Sequence, residues 1–340
     1  MISGFAFDNY YFGRVDHPAT QIVLFVYVVI AILSILFLHY VESRPETGGW
    51  FKRMEPLSIV ATQFAFGGLW SAFVIFYGRS AVVAASWPFL FVLVAMLIGN
   101  EVFRKYHSRL AFACVLLFFA LFSYAIFALP VFTGTMGRET FLESGLFAVA
   151  VFAVVLVLLS ALGPKRIRKA WRYIAAGALG VYLTINVFYF TNILPPLPLA
   201  LATADVFHTV TKTGDTYQAT AEPQAWFRAP GTVPTLHVAS GEPISLYSAV
   251  FAPIQLKTKI LHIWQRYDPA SREWHTESTV AYPITGGREG GYRGYSIKSS
   301  PRAGRWRVNI ETPDGLVIGR VPFIVAAASA PVATSARTLR

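Results

Sequence analysis

Cysteine is nearly missing. Cys114 is the single one in 340 residues, so the chain can form no internal disulfide and contains no Cys-x-x-Cys metal or redox motif. Charge is scarce as well, at 14% of residues against 55% hydrophobic, a balance too apolar for an ordinary soluble protein. The 29 Lys and Arg outnumber the 18 Asp and Glu. The surplus is spread between short loops and the C-terminal third, and without a concentrated basic run it argues against nucleic acid as a partner. No two of the seven histidines stand four residues apart, the spacing of a helical metal site, so neither metal nor cofactor is expected. Ser296 lacks the Gly-x-Ser-x-Gly elbow of a hydrolase nucleophile, and Gly286 to Gly291 lacks the Gly-Lys-Ser/Thr of a phosphate loop. These absences point away from an enzyme.

What is present in quantity is long apolar runs, at 21–39 and about 57–77, 81–103, 110–132, 142–162 and 171–193. Each has the roughly 20 residues needed to cross a hydrocarbon core as helix. Residues 1–20 lack a basic start, and no small-residue cleavage site follows the first run, which reads as a retained helix. The sequence therefore predicts a bundle of six transmembrane helices over 1–199. Arg44, Lys52 and Arg53 fall in the first loop, Arg104, Lys105 and Arg109 in the third, and Lys165 to Arg172 in or beside the fifth; the second and fourth carry only Arg79 and Arg138. The positive-inside rule then puts both chain ends outside the cytoplasm, with the protein in a bacterial inner membrane. Gly67, Gly68, Ser71 and Ala72 make a small face suited to close helix packing. Arg79 and Glu143 are expected as a charge pair at the outer membrane face, and Asn100 and Glu101 as part of an interfacial cluster with Arg104 and Arg109.

The prolines of Ile-Leu-Pro-Pro-Leu-Pro-Leu at 193–199 end the last helix. Beyond it the pattern is short and turn-separated: strands are expected at 206–212, 216–221, 225–228, 235–238, 244–251, 260–267, 274–284, 292–298, 305–311 and 316–325. In the 305–311 segment Trp306, Val308 and Ile310 alternate with Arg305, Arg307 and Asn309, and Thr-Pro-Asp-Gly at 312–315 closes a hairpin. Such spacing predicts an all-β domain over 200–325, an antiparallel sandwich of immunoglobulin-like kind. Residues 326–340, small and unpatterned, are expected to be a disordered tail.

Leu-His-Ile-Trp-Gln at 261–265, Gly-Gly-Arg-Glu-Gly-Gly-Tyr-Arg-Gly-Tyr-Ser at 286–296, Gly-Arg-Trp-Arg-Val at 304–308 and Gly-Leu-Val-Ile-Gly-Arg at 315–320 resemble an uncharacterised bacterial family, domain of unknown function 2914. Phe-Tyr-Gly-Arg-Ser at 76–80, Ala-Ala-Ser-Trp-Pro-Phe at 84–89 and Ile-Gly-Asn-Glu at 98–101 extend the similarity into the helices. The resemblance implies a β-sandwich module attached to membrane helices; it carries no catalytic residues.

Arginine and tyrosine together anchor interfaces and stack on sugars. The densest combination lies where His262, Trp264, Arg288, Tyr292, Arg293, Tyr295 and Lys298 are expected to line one basic, aromatic surface, with Arg305 and Arg307 nearby. The expected function is a non-enzymatic envelope module that binds a protein or glycan partner. The alternative is a membrane enzyme or transporter for a lipid-linked or small polar substrate, with its site near Arg79 and Glu143.

Overall fold

The computed structural model describes residues 16–44, 48–80, 83–102, 109–214, 216–223, 233–253, 256–286 and 290–339; the side chains at 83–85 and 101–102 are not among the described parts. The chain divides into a helical unit that ends at Pro198 and a β unit that begins at Leu199.

The helical unit holds α1 (Pro18–Ser43), α2 (Gly49–Ser80), α3 (Val83–Val102), α4 (Leu110–Thr133), α5 (Arg138–Leu162) and α6 (Pro164–Phe190). Pro18 and Pro164 stand at the first helical positions, where a missing N–H costs nothing. Gly134 closes α4 in the left-handed conformation, its N–H bonded to the Pro130 carbonyl. Among the described residues five helices are long and apolar enough to cross a membrane, and α3 is apolar over Ser86–Asn100, the part of it whose side chains are described.

Burial orders them. α4 is the hub, with 78% of its most apolar window buried, whereas α6 has 17% and lies at the rim. Trp70 of α2 stacks on Phe119 with ring centres 5.3 Å apart, Phe152 of α5 meets Phe118 at 5.0 Å, and Tyr182 of α6 stacks on Phe122 at 5.6 Å. Tyr77 spends its hydroxyl on the Ser123 carbonyl at 2.9 Å, satisfying a polar group that a hydrocarbon surrounding would leave stranded. The small face of α2 is used: a Cβ on Gly68 would lie 2.4 Å from the Tyr27 ring of α1. Gln63 of α2 and Asn100 of α3 each donate to the other's backbone carbonyl, at 3.5 and 3.0 Å. These reciprocal bonds tie α2 to α3.

The β unit has three sheets: β1 (Ala200–Phe207), β5 (Ile244–Phe251) and β8 (Tyr292–Lys298) in the order β1-β5-β8; β4 (Thr235–Ala239), β6 (Lys257–Asp268), β7 (Glu273–Thr285), β9 (Gly304–Glu311) and β10 (Val317–Ala328) in the order β4-β10-β9-β6-β7; and β2 (Thr209–Thr213), β3 (Thr216–Ala221) and β11 (Ser335–Leu339) in the order β11-β3-β2. All pairings are antiparallel except β10 with β4. The β9–β10 hairpin closes at the expected turn, where Gly315 takes a positive φ and donates to the Thr312 carbonyl.

Strand β5 is buried on both sides. Ser248 faces the five-stranded sheet, where it meets His262, while Tyr247 and Ala249 join Phe207, Val210, Tyr217, Ala219 and Leu339 in a second apolar cluster. An unbroken buried run replaces the usual alternation because sheets lie against both of its faces. The tail departs from expectation. β10 continues to Ala328, and β11 pairs with β3 and buries Leu339 to 8% exposure. Pairing with a strand edge needs only backbone groups and one apolar anchor, so small polar residues can do it without announcing a strand. The strand expected at 225–228 lies outside the described residues.

Candidate functional site

Strand β6 carries opposite chemistry on its two sides, because successive residues point to opposite faces. His262 and Trp264 point inward and are fully closed to solvent. His262 Nε2 meets Ser248 Oγ at 2.9 Å and its Nδ1 meets Ser296 Oγ at 2.9 Å; Trp264 Nε1–H donates to the same Ser296 oxygen at 3.0 Å; Ser248 Oγ meets Tyr282 Oη at 2.8 Å. Burial pushes His262 down to about 4, so its ring is neutral near pH 7 and has one N–H to give. A proton order that wastes no donor then runs one way: Trp264 to Ser296, Ser296 to His262 Nδ1, His262 Nε2–H to Ser248, and Ser248 to Tyr282. The spare hydroxyl proton falls on half-buried Tyr282, within reach of water, rather than on Ser296 at 3% exposure. Gly294 makes the close approach possible: a Cβ there would lie 2.6 Å from the Tyr282 ring. This chain of hydroxyls ties β5 and β8 to β6 and β7, with His262 and Ser296 closed to solvent.

The other side of the same strands is basic, with Arg305 and Arg320 exposed and Gln265, Tyr267, Trp274 and Arg307 partly covered. Register places Arg307 of β9 opposite Gln265, Asn309 opposite Ile263, and Arg320 of β10 opposite Asn309. Gln265 Oε1 accepts from Arg307 Nε at 2.7 Å and Asn309 Nδ2 at 3.3 Å, and Asn309 Oδ1 accepts from Arg320 Nε at 2.8 Å. The Arg307 guanidinium lies 4.2 Å over the Trp274 ring of β7, and Arg305 lies 5.2 Å over Tyr267. Burial and the neighbouring Arg320 both lower the Arg307 pKa, and burial raises that of Glu311, the carboxylate at the end of β9. Three arginines face one carboxylate here, each oriented by a side chain rather than waving in solvent. Such a face suits an anionic or hydroxyl-rich ligand that stacks on Trp274 and bonds to the guanidinium edges.

The residues predicted from the sequence do not share one surface. His262 and Trp264 are interior. Tyr292 and Lys298 lie on the Ser296 side of β8, and Lys298 reaches 5.8 Å from the Trp306 ring and 3.5 Å from Ser278 Oγ. Arg293 and Tyr295 point the opposite way, where Tyr217 donates to the Arg293 carbonyl at 3.1 Å and its ring lies 6.2 Å from Tyr295. Arg288 lies outside the described residues. In the helical unit Arg79 and Glu143 are both exposed, and among the described residues no ion pair joins them. Asn100 bridges two helices as described above, while the Glu101 side chain and Arg104 are not described, so their expected cluster lies outside the described residues. Sequence reading missed Gln265, Tyr267, Trp274 and Arg320. Their one signal was the polar parity of β6, and only the register joins them across four strands.

A second charged cluster sits elsewhere in the β unit. Glu222 accepts from the His237 N–H at 2.6 Å, meets His237 Nδ1 at 2.8 Å and His208 Nε2 at 3.0 Å. Burial opposes its ionised form, but these hydrogen bonds outweigh burial and hold the carboxyl below its usual range. The imidazoles point at the carboxylate oxygens, and among the described residues no group of three or more such side chains is placed to hold a metal.

No curated protein matches the chain. Among solved structures, Pseudomonas fluorescens alkylpurine DNA glycosylase AlkC bound to DNA containing an abasic site analog aligns at 8% identity over 88% of this chain and 98% of that one, with a TM-score of 0.23, too low to support any argument. The segments Leu261–Gln265 and Tyr292–Ser296 that supply His262, Trp264, Gly294 and Ser296 fall inside a family match. Residues 257–325, from the start of β6 into β10, match the family described as protein of unknown function (DUF2914), and this C-terminal module is what the chain shares with that family.

Proposed function

We propose that this multi-pass membrane protein presents its β unit outside the cytoplasm as a binding module, and that the ligand, an envelope glycan or an acidic protein surface, docks on the exposed face formed by Tyr267, Trp274, Arg305, Arg307 and Arg320. Six spans in the orientation drawn from loop charge support the location. In this reading the three-stranded and five-stranded sheets form an immunoglobulin-like sandwich whose interior is the hydroxyl chain. The observation that carries the function is Arg307, held over Trp274 by Gln265 before any ligand arrives. Preorganisation of this kind lowers the ordering cost of binding. The module has no need of catalysis: its most reactive side chains, His262 and Ser296, are enclosed.

Intact protein isolated in mild detergent from cells bearing a photo-crosslinker at Thr276 should capture a defined glycan or protein. Arg307→Ala with Trp274→Ala should abolish that capture, while Arg293→Ala should not. Capture unaffected by the double substitution would remove this face from consideration. An alkaline phosphatase fusion after Val325 should be active and one after Arg109 inactive, and the reverse would place the module in the cytoplasm.

A further inference from the structure

An apolar groove of about 240 Å³ runs between α3, α4 and α6, lined by Phe89 and Met96, by Val115 and Phe119, and by Gly177 and Phe188. For scale, an apolar cavity of roughly 150 Å³ admits a benzene ring. Thr184 lines it too, but its hydroxyl donates to the Gly180 carbonyl of its own helix at 2.8 Å, so it has no donor to offer an occupant. Along α6 the groove spans residues 177 to 188, roughly 16 Å at helical rise, close to the depth of one leaflet of a hydrocarbon core about 30 Å thick. Elsewhere on α6, Leu179, Leu183 and Val187 are each more than half exposed. A Cβ on Gly180 would meet nothing within 4 Å, whereas one on Gly177 would lie 2.4 Å from Val115. Gly177 lets the helices approach; Gly180 leaves the groove open.

Charge continues the line. Lys169, Tyr173 and Gly177 stand at four-residue intervals and so share one helix face. Lys169 and Tyr173 are exposed, Tyr173 at 73%, and they lie roughly 12 and 6 Å beyond the Gly177 end of the groove by helical rise. Ammonium and phenol at the foot of an acyl-length apolar slot match a phosphate headgroup above its own chain. We infer that the groove holds one acyl chain of an anionic phospholipid, its phosphate bound by Lys169 and Tyr173. The site depends on the membrane reading of the helical unit and not on the face of the β unit.

Native mass spectrometry of the full chain in mild detergent tests it. Wild type should retain about one anionic phospholipid per chain and, after delipidation, rebind dioleoyl-phosphatidylglycerol in preference to dioleoyl-phosphatidylcholine. Gly180→Leu fills the slot and, by excluding two or more methylenes, should weaken rebinding by a factor on the order of ten. Lys169→Gln with Tyr173→Phe should erase the preference for the anionic headgroup and keep acyl binding. Thr184→Leu provides a second filling variant, and thermal melting of each confirms that it is folded. Equal lipid retention by folded filling variants would overturn the inference. So would retained lipid of bulk membrane composition, or a lipid-free dimer that Gly180→Leu dissociates, which would make the groove an interface between copies.

Discussion

The two faces of the five-stranded sheet come from neighbouring residues of the same strands, yet they solve opposite problems. Trp264 and Gln265, or Trp306 and Arg307, are one peptide apart. Inside, every polar atom is enclosed and must be satisfied by the protein. Outside, polar atoms are satisfied by one another in a way that leaves Arg305 and Arg320 exposed and the Trp274 ring partly so. Histidine and serine inside therefore serve cohesion, despite looking like chemistry, while glutamine and arginine outside serve recognition, despite looking like ordinary surface.

That contrast is open to measurement on residues 199–340 expressed alone, which are expected to melt cooperatively since their cores are their own. A non-cooperative melt would mean that the β unit does not hold its own core. The largest effect is expected inside. Trp306, at 1% exposure and bonded to the Arg302 carbonyl at 2.8 Å, should cost about 3–5 kcal/mol when replaced by alanine, read from urea unfolding.

Next comes pH. The native pKa of His262 lies near 4, below the 6.5 of an unperturbed histidine. Between these values the unfolded chain binds more protons, so stability is fully present above pH 6.5 and is lost as pH falls toward 4. The loss is on the order of 3 kcal/mol. Carboxylates add their own acid sensitivity, so the comparison is with His262→Gln, whose stability should fall less over that window. Equal slopes would mean that the imidazole does not titrate as its enclosure demands.

A smaller effect is expected from truncation after Ser329, which removes β11 and the buried Leu339. About 1–2 kcal/mol should be lost, the order of one buried leucine discounted for an edge; no loss would make the strand incidental. The smallest effect is outside. Arg307→Ala should lower stability by no more than about 1 kcal/mol, the scale of an exposed cation–π contact, while removing ligand capture. A large destabilisation there would make the outer face structural as well, and the two faces would differ less than claimed.

Much of this was legible in sequence. The apolar runs marked the helices, and β8 and the β9–β10 turn fell where alternation and Thr-Pro-Asp-Gly put them. Period-two parity along β6 groups Ile260, His262, Trp264 and Arg266 against Leu261, Ile263, Gln265 and Tyr267, and the first three of these are the ones fully buried. What parity cannot supply is which face is covered: His262 beside a glycine-rich segment read as a contact residue, whereas Gly294 serves to let Tyr282 descend onto Ser248. Nor can it supply register, and the outer face joins residues from 267 to 320 that meet only through it. β11 was illegible because one buried leucine among small residues makes no periodicity.

The paired amides of Gln63 and Asn100 bear on biogenesis. α3 carries a proline inside it and an asparagine near its end, features that a bilayer disfavours unless a neighbouring helix answers them. Joined to α2, the Asn100 amide is spent on the Gln63 carbonyl and the Asn100 carbonyl takes the Gln63 amide, with Gly67 leaving the way clear. The two helices thus favour insertion as a hairpin, each answering the other's polar group, so that severing this pair would show first in the yield of correctly inserted protein rather than in the stability of what has already folded.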